Sequence, residues 1–171
     1  MRIPVIAIFG AACLVITSHI SATQQGSDAC AVTEPYQASL FIPPLPYPQK
    51  AGPGRFWFGT DRLWTSLPID GTLKGLPQQR PADLSFREKV AFYRQGYSVD
   101  NDPQPPKLVI KARRLDADSS SYVLDRPVTV WHDDWDHPFI MTVINFGALG
   151  CWEIRARYSD DEIRFVVRVS Q

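Results

Sequence analysis

The chain has 171 residues, in which 18 lysines and arginines balance 18 aspartates and glutamates, so its formal net charge is zero. A neutral chain of this length predicts one domain with its own core. It argues against a nucleic-acid partner and against a polybasic membrane patch, because both need clustered positive charge. The 44% hydrophobic fraction excludes a disordered chain, and 15 prolines favour strands and turns over long helices.

The first 22 residues have the pattern of a secretory signal peptide. A single early cation, Arg2, precedes an apolar run over residues 3–16, and small residues lie just before Thr23. The run is too short for a stable membrane span, so we expect cleavage before Thr23 and a mature protein that is secreted or periplasmic. The alternative is a lipoprotein anchored through Cys13, which follows a run of small residues. Against this alternative, the apolar run continues beyond Cys13.

Residues 23–54 form a proline-rich tail ahead of the predicted domain, residues 55–171. Proline fixes its own backbone and cannot donate to a β-ladder, so we expect the tail to be extended. Its apolar side chains are unusual for a free linker, and part of it is expected to lie along the domain surface. Removal of the signal leaves two cysteines, Cys30 in the tail and Cys151 near the carboxyl terminus. An even number of cysteines in an exported chain predicts a disulfide bond between them.

The domain begins with the stretch "RFWFGTDRLWTSLP", in which a turn over residues 59–62 separates two strand-like apolar runs. Asp70 and Gly71 follow, and this dipeptide is typical of a tight hairpin turn. The sequence therefore predicts short strands from the start of the domain.

One helix is predicted, at about residues 86–95, within "DLSFREKVAFYRQGY". Ser85 and Glu88 form a capping box at its start, and Gly96 is well placed just past its end. Apolar residues recur at helical spacing and give one aromatic stripe, which is usually core packing. The stripe consists of Phe86, Val90, Tyr93 and Tyr97.

After this helix, the runs "KLVIKARRL", "RPVTVW" and "PFIMTVINF" and a terminal pair are strand-like, with turn signals between them. Several short strands at close spacing predict a mainly β protein with the architecture of a β-sandwich. One inserted helix does not change that class.

The final stretch, "LGCWEIRARYSDDEIRFVVRVSQ", alternates apolar and charged residues on both sides of "SDD" and so predicts a hairpin with one buried face. Cys151 is an even number of positions from the charged residues of its strand, so it is expected to lie on the same side of the strand as they do. Its sulfur should lie outside the core, where the tail that carries Cys30 can reach it. The outward arginines would form a cationic sheet face for an acidic partner, and the alternative is ordinary solvation and edge protection. These arginines are Arg155, Arg157, Arg164 and Arg168.

Four stretches together resemble a group of uncharacterised bacterial exported proteins. They are "FWFGTDRLWTSLPIDGTLKGLP", "FREKVAFYRQGY", "PQPPKLVIKARRLDA" and "LGCWEIRARYSDDEIRFVVRV". Proteins of that group share a Gly-Thr…Leu-Trp segment and a carboxyl-terminal Gly-Cys-Trp-Glu-Ile hairpin, and the resemblance covers roughly residues 28–170. It implies an exported protein with an immunoglobulin-like fold and no established activity.

The segment "WHDDWDHP", residues 131–138, is the one stretch with the character of a metal site. Two imidazoles and a carboxylate could hold zinc or another transition ion. The alternative is a solvated acidic turn whose tryptophans pack inward, and the resemblance gives no support for a shared metal site. The residues concerned are His132, Asp134, Asp136 and His137.

No catalytic motif of a common class occurs, so we expect a protein that is not an enzyme and has no cofactor. The predicted function is that of a binding or structural module of the cell envelope, or a secreted one, which meets a protein or glycan partner. The alternative is a small metal-dependent or carboxylate enzyme centred on residues 131–138.

Overall fold

The computed structural model of the protein describes residues 30–36, 41–77, 86–117, 126–131 and 137–171, and these form ten β-strands. The strands are β1 (Arg55–Gly59), β2 (Leu63–Pro68), β3 (Thr72–Lys74), β4 (Leu76–Pro77), β5 (Phe86–Arg94), β6 (Leu108–Arg114), β7 (Val128–Val130), β8 (Phe139–Phe146), β9 (Gly150–Tyr158) and β10 (Asp161–Ser170). The protein is therefore mainly β, as the sequence predicts. Within the described ranges, no helix has the length and apolar character needed to cross a membrane.

The strands form two sheets. The six-stranded sheet has the order β1-β2-β5-β8-β7, with β4 also paired to β5, and its neighbouring strands are antiparallel. The four-stranded sheet has the order β3-β10-β9-β6, in which β3 alone runs parallel to its neighbour. The chain passes from the first sheet to the second between β2 and β3, at the predicted Asp70-Gly71 turn.

One hydrophobic core joins the inner faces of the two sheets. Strand alternation turns every second side chain of β9 and β10 inward, and the opposite strands β5 and β8 supply the other half of the core. Burying these aromatic and branched side chains is the main favourable contribution to folding. Fully or almost fully buried members include Phe92, Ile140, Ile144, Phe146, Trp152, Ile154, Phe165 and Val167.

The helix predicted for residues 86–95 is wrong, because this segment is the strand β5. It lies inside the six-stranded sheet, with β2 and β4 on one side and β8 on the other. Val90 and Phe92 point into the core, while Ala91 and Tyr93 belong to a second apolar cluster on the outer side of the sheet. Both faces of this half of β5 are therefore covered. Apolar residues on both faces of a strand imitate the spacing of a helical stripe.

A proline-rich segment, residues 30–36 and 41–51, wraps around the edge of the domain, and we call it the strap. At its second half Tyr47 is only 4% exposed and donates a hydrogen bond of 2.6 Å from its hydroxyl to the carbonyl of Arg94. The ring of Tyr47 packs edge-on against Trp64, with 4.7 Å between the ring centroids. The strap thus covers the outer side of the six-stranded sheet.

The first half of the strap is held by the predicted disulfide bond, which is present between Cys30 and Cys151 with 5.3 Å between their Cα atoms. Next to it, the backbone N–H of Thr33 donates to the carbonyl of Val166 at 2.9 Å. The N–H of Val166 in turn donates to the hydroxyl of Thr33, also at 2.9 Å. The strap therefore occupies part of the edge of β10.

Gly71 accommodates the strap at this point. Its φ is +64°, and a Cβ atom there would lie 2.5 Å from the Cβ of Val32. A larger residue at this position would be strained and would displace the strap.

Candidate functional site

The outer side of the four-stranded sheet carries a dense set of basic side chains. Since Trp152, Ile154 and Phe165 point into the core, their neighbours along β9 and β10 point outward, and the same alternation applies to β6. Six cations of the described strands project from this side, which we call the cationic face. They are Lys111 and Arg113 of β6, Arg155 and Arg157 of β9, and Arg164 and Arg168 of β10.

The strand register arranges these cations in rows across the sheet. Lys111 lies beside Arg155, which lies beside Arg164. Adjacent strands are about 4.8 Å apart, so three positive charges share one row. In the next row towards the β9–β10 turn, Arg157 lies between Val109 and Glu162. The result is a strongly positive surface.

Glu153 lies in the middle of the cationic face and is 3% exposed. The Nε of Arg155 donates to its Oε1 at 3.1 Å, and an Nη2 nitrogen of Arg113 lies 3.7 Å from its Oε2. Arg164 makes a further ion pair with Oε2. One carboxylate therefore fixes the guanidinium groups of arginines from three neighbouring strands.

The charge state of Glu153 follows from these contacts. Burial by itself would raise the pKa of its carboxyl group. The hydrogen bonds and positive charges of Arg155 and Arg164 outweigh burial and lower that pKa below its usual range. Glu153 is therefore ionised at neutral pH. Among the described residues, the six cations still outnumber the two carboxylates of these three strands that share the face, Glu153 and Glu162, which leaves an excess of positive charge there.

A small cavity of about 160 Å³ opens on the face near the β9–β10 turn. Within the described part of the chain, Lys111 and Arg157 form no ion pair, so their charges are available to a ligand. The cavity can therefore accept an anionic group between these two side chains. It is lined by Val109, Lys111, Arg155, Arg157 and Glu162.

The disulfide bond borders the opposite end of the face, where Arg168 lies beside Cys151 in the strand register. Asp116 accepts hydrogen bonds from the backbone N–H of Cys151 at 3.1 Å and from the Nε of Arg114 at 2.6 Å. Burial raises the pKa of Asp116, but these two hydrogen bonds outweigh it and lower the pKa overall. This end of the face is thus fixed to the strap and to the segment after β6.

A second polar cluster surrounds Asp102, in the loop between β5 and β6. Its carboxylate accepts hydrogen bonds from Arg94 at 3.0 Å, from the Tyr158 hydroxyl at 3.0 Å and from the Ser98 backbone at 2.9 Å. Burial, followed by the contact with Asp102, raises the pKa of Tyr158 to about 12. Both oxygens of Asp102 are used within the fold, so this cluster anchors the loop.

The predicted metal site falls mostly outside the described residues, because residues 132–136 do not belong to them. His137 is described, is 9% exposed and packs its ring against that of Tyr47, with 4.1 Å between centroids. Among the residues that the structure describes, no group of three or more His, Cys, Asp or Glu side chains could hold a metal ion. The metal site of His132, Asp134, Asp136 and His137 stays a prediction, as does the enzyme centred on it.

The structure places all four predicted arginines on one face, together with Glu153, which the alternation of the hairpin also turns outward. Two further cations of this face, Lys111 and Arg113, were not predicted to belong to it. Lys111 and Arg113 alternate with apolar residues in "KLVIKARRL", which is a signal for an outward position. That signal does not reveal that β6 lies beside β9.

A scan of the chain against protein-family models found no match, and searches of curated proteins and of solved structures also found none.

Proposed function

We propose that this protein is exported and acts outside the cytoplasm as an immunoglobulin-like β-sandwich module that binds an anionic polysaccharide through its cationic face. The observation that carries the proposal is the array of six cations from three adjacent strands, partly fixed in position by the buried carboxylate of Glu153. Guanidinium groups that are held in place lose less side-chain entropy when they bind a further carboxylate.

The chemistry of the face favours a carboxylate-bearing polymer over a protein partner. Protein interfaces are usually built around a buried apolar centre with aromatic anchors. Here the centre of the face is Glu153 with its arginines, and the exposed apolar residue at its margin is Val109, which is 45% exposed. The arginines already bind one carboxylate in the fold, so the carboxylates of uronate sugars suit them in the same way.

Export is supported by two features of the chain. The first 22 residues have the pattern of a signal peptide, and Cys30 and Cys151 form a disulfide bond of the kind that persists in oxidising compartments. Attachment to a membrane through a lipidated Cys13 is the alternative. Intact-mass measurement of the mature protein distinguishes the two, because lipidation adds mass to a chain that begins at Cys13.

The binding proposal is tested by titrating the mature protein with polygalacturonate and, separately, with the same polymer after methyl esterification. We expect binding to the charged polymer alone, and we expect the affinity to fall as salt is added, since the interaction is between exposed charges. Replacing Arg155 and Arg157 by glutamine should weaken binding by about tenfold or more.

A matched control removes two cations from elsewhere on the molecule, with Lys50→Gln and Lys89→Gln. This control has the same change in net charge and should bind as the unmodified protein does. Equal binding of the esterified polymer, or an equal loss in the control, would reject the cationic face as the binding site. Tighter binding to an acidic protein or to a DNA duplex than to the polysaccharide would reject the proposed ligand class.

A further inference from the structure

The outermost strand of the four-stranded sheet, β3, has backbone groups along its outer edge that pair with none of the residues that the structure describes, and we call this side its free edge. On its other side, the N–H of Arg168 donates to the carbonyl of Gly71 and the N–H of Gly75 donates to the carbonyl of Ser170, both at 2.9 Å. Backbone groups of successive strand residues point to opposite sides, so those of Thr72 and Lys74 point away from β10. The N–H of Thr72 is taken by the carboxylate of Asp70 at 2.9 Å. The Thr72 carbonyl and both backbone groups of Lys74 therefore face outward.

This free edge lines a cleft of about 500 Å³, a volume within the range of small-ligand sites. The opening exists because β2 leaves β5 after Thr65, whereas β4 joins β5 only at Phe86 and Arg87. The stretch of β5 between these two pairings has no strand on that side within the described residues. The cleft is lined by Pro53, Gly54, Arg55, Pro68, Ile69, Asp70, Thr72, Leu73, Lys74 and Glu88.

Glu88 faces this cleft from the core-facing side of β5, the side on which Val90 and Phe92 lie. Its carboxyl group is half-buried and forms neither a hydrogen bond nor an ion pair with the described residues. Burial raises its pKa, and the positive charge of Arg55 offsets only part of that effect. A half-buried carboxyl group without a partner is costly to the fold and is typical of a group that meets a ligand.

We propose that this cleft binds a short extended peptide, which adds to the free edge of β3 and places an ammonium group on Glu88. Backbone groups at a free sheet edge pair with an added strand, and this supplies affinity without sequence preference. The Glu88 carboxylate then supplies the preference for a lysine side chain or a free amino terminus. The cleft lies at the β3 edge of the four-stranded sheet, next to Arg168, whereas the cavity of the cationic face lies near the β9–β10 turn. None of the six cations lines the cleft, so this proposal does not depend on the proposed function.

The experiment uses two capped peptides, acetyl-Val-Lys-Val-amide and acetyl-Val-Gln-Val-amide, titrated into the isotope-labelled mature protein. Backbone amide resonances are followed by nuclear magnetic resonance. We expect the amide of Lys74 to shift with both peptides, and we expect the lysine peptide to bind about tenfold more tightly. Glu88→Gln should abolish this preference while both peptides still shift the Lys74 amide. Asp61→Asn removes a carboxylate from the β1–β2 turn, outside the cleft, and should leave the preference unchanged.

Four results would overturn the proposal. One is equal affinity of the unmodified protein for the two peptides, and another is the absence of a shift at Lys74 with either of them. The third is slow hydrogen exchange of the Lys74 amide in the free protein, which would show that another segment of this chain already occupies the edge. The fourth is loss of the preference for the lysine peptide in Asp61→Asn as well as in Glu88→Gln. This result would show that the preference depends on net charge and would reject the role of Glu88.

Discussion

Removal of the disulfide bond should destabilise the strap more than the rest of the domain. The bond joins residues that are 121 positions apart. The loss of loop-closure entropy in the unfolded chain corresponds to about 5 kcal/mol at room temperature. Prolines already restrict the unfolded strap, and its contacts with β10 remain in the folded protein without the bond. We therefore expect a decrease of about 2–4 kcal/mol in the free energy of unfolding.

The variant that tests this value combines Cys30→Ser with Cys151→Ala. Cys151 is 1% exposed, and alanine avoids burying a hydroxyl group without a hydrogen-bond partner. The hydrophobic core between the two sheets includes neither cysteine, so the packing of Trp152 and its neighbours in that core should persist. The strap, by contrast, should become accessible to proteases near Cys30.

Urea unfolding of the oxidised protein, the reduced protein and the double variant measures the effect, and limited proteolysis locates it. The reduced protein and the variant should agree with each other, and cleavage should fall ahead of Arg55 and leave the domain intact. A decrease smaller than about 0.5 kcal/mol, within the usual range of surface substitutions, would refute the loop-closure reasoning. Cleavage throughout β9 and β10 would instead show that the bond holds the whole domain together.

Three further predictions concern the charged and aromatic groups. Glu153→Gln should lower the free energy of unfolding by about 1–2 kcal/mol at neutral pH, because the carboxylate is buried but its arginines are half-exposed. Folding lowers the pKa of Glu153 below the unfolded value of about 4.3. The contribution of Glu153 to the free energy of unfolding should therefore be lost as the pH falls below that value, and urea unfolding at pH 7 and at pH 3 measures the loss. Burial raises the pKa values of Tyr93 and Tyr158 to about 12, so their phenols favour folding below the unfolded value of about 10 and lose that contribution as the pH rises towards 12. A spectrophotometric titration should show late phenols that include these two, and Tyr158→Phe should remove one of them. Tyr47→Ala should cost about 3 kcal/mol and Tyr47→Phe about 1 kcal/mol in thermal or urea unfolding, because the first removes a buried ring and the second removes only its hydrogen bond.

The carboxyl-terminal hairpin and the disulfide bond could both be predicted from the sequence. Alternation by two residues fixes which side chains of β9 and β10 face the core, and the turn between Tyr158 and Asp161 lies where "SDD" predicts it. The parity of Cys151 then places its sulfur outside the core. The hairpin depends on neighbouring residues in the sequence, so a local pattern is sufficient to predict it. The disulfide bond joins distant residues, and it was predictable because only two cysteines remain after the predicted signal.

The strand β5 could not be recognised in this way, because its environment depends on distant parts of the chain. The strap covers one face of its second half and the core covers the other, which produces an apolar pattern without strict alternation. Ser85 and Glu88 also match a capping box. Burial between β2 and β8 outweighs this local helical signal, as tertiary packing commonly does.

Only part of the cationic face could be predicted, because the rest of it also depends on distant parts of the chain. Its four arginines of β9 and β10 follow from one hairpin, whereas Lys111 and Arg113 join them only through the pairing of β6 with β9. The burial of Glu153 depends on arginines from all three strands. No window of the sequence contains that arrangement.

The position of the two bonded cysteines has a consequence for the order in which the protein matures. A chain that emerges amino terminus first exposes Cys30 long before β9 and β10, which carry its partner Cys151 and its hydrogen-bonding residue Val166. During that interval Cys30 is a free thiol, and oxidation at that stage would join it to another molecule. We expect rapid collapse of the terminal hairpin onto the earlier strands to protect against such dimers. Slowing that step should increase the fraction of chains that become linked to one another through Cys30.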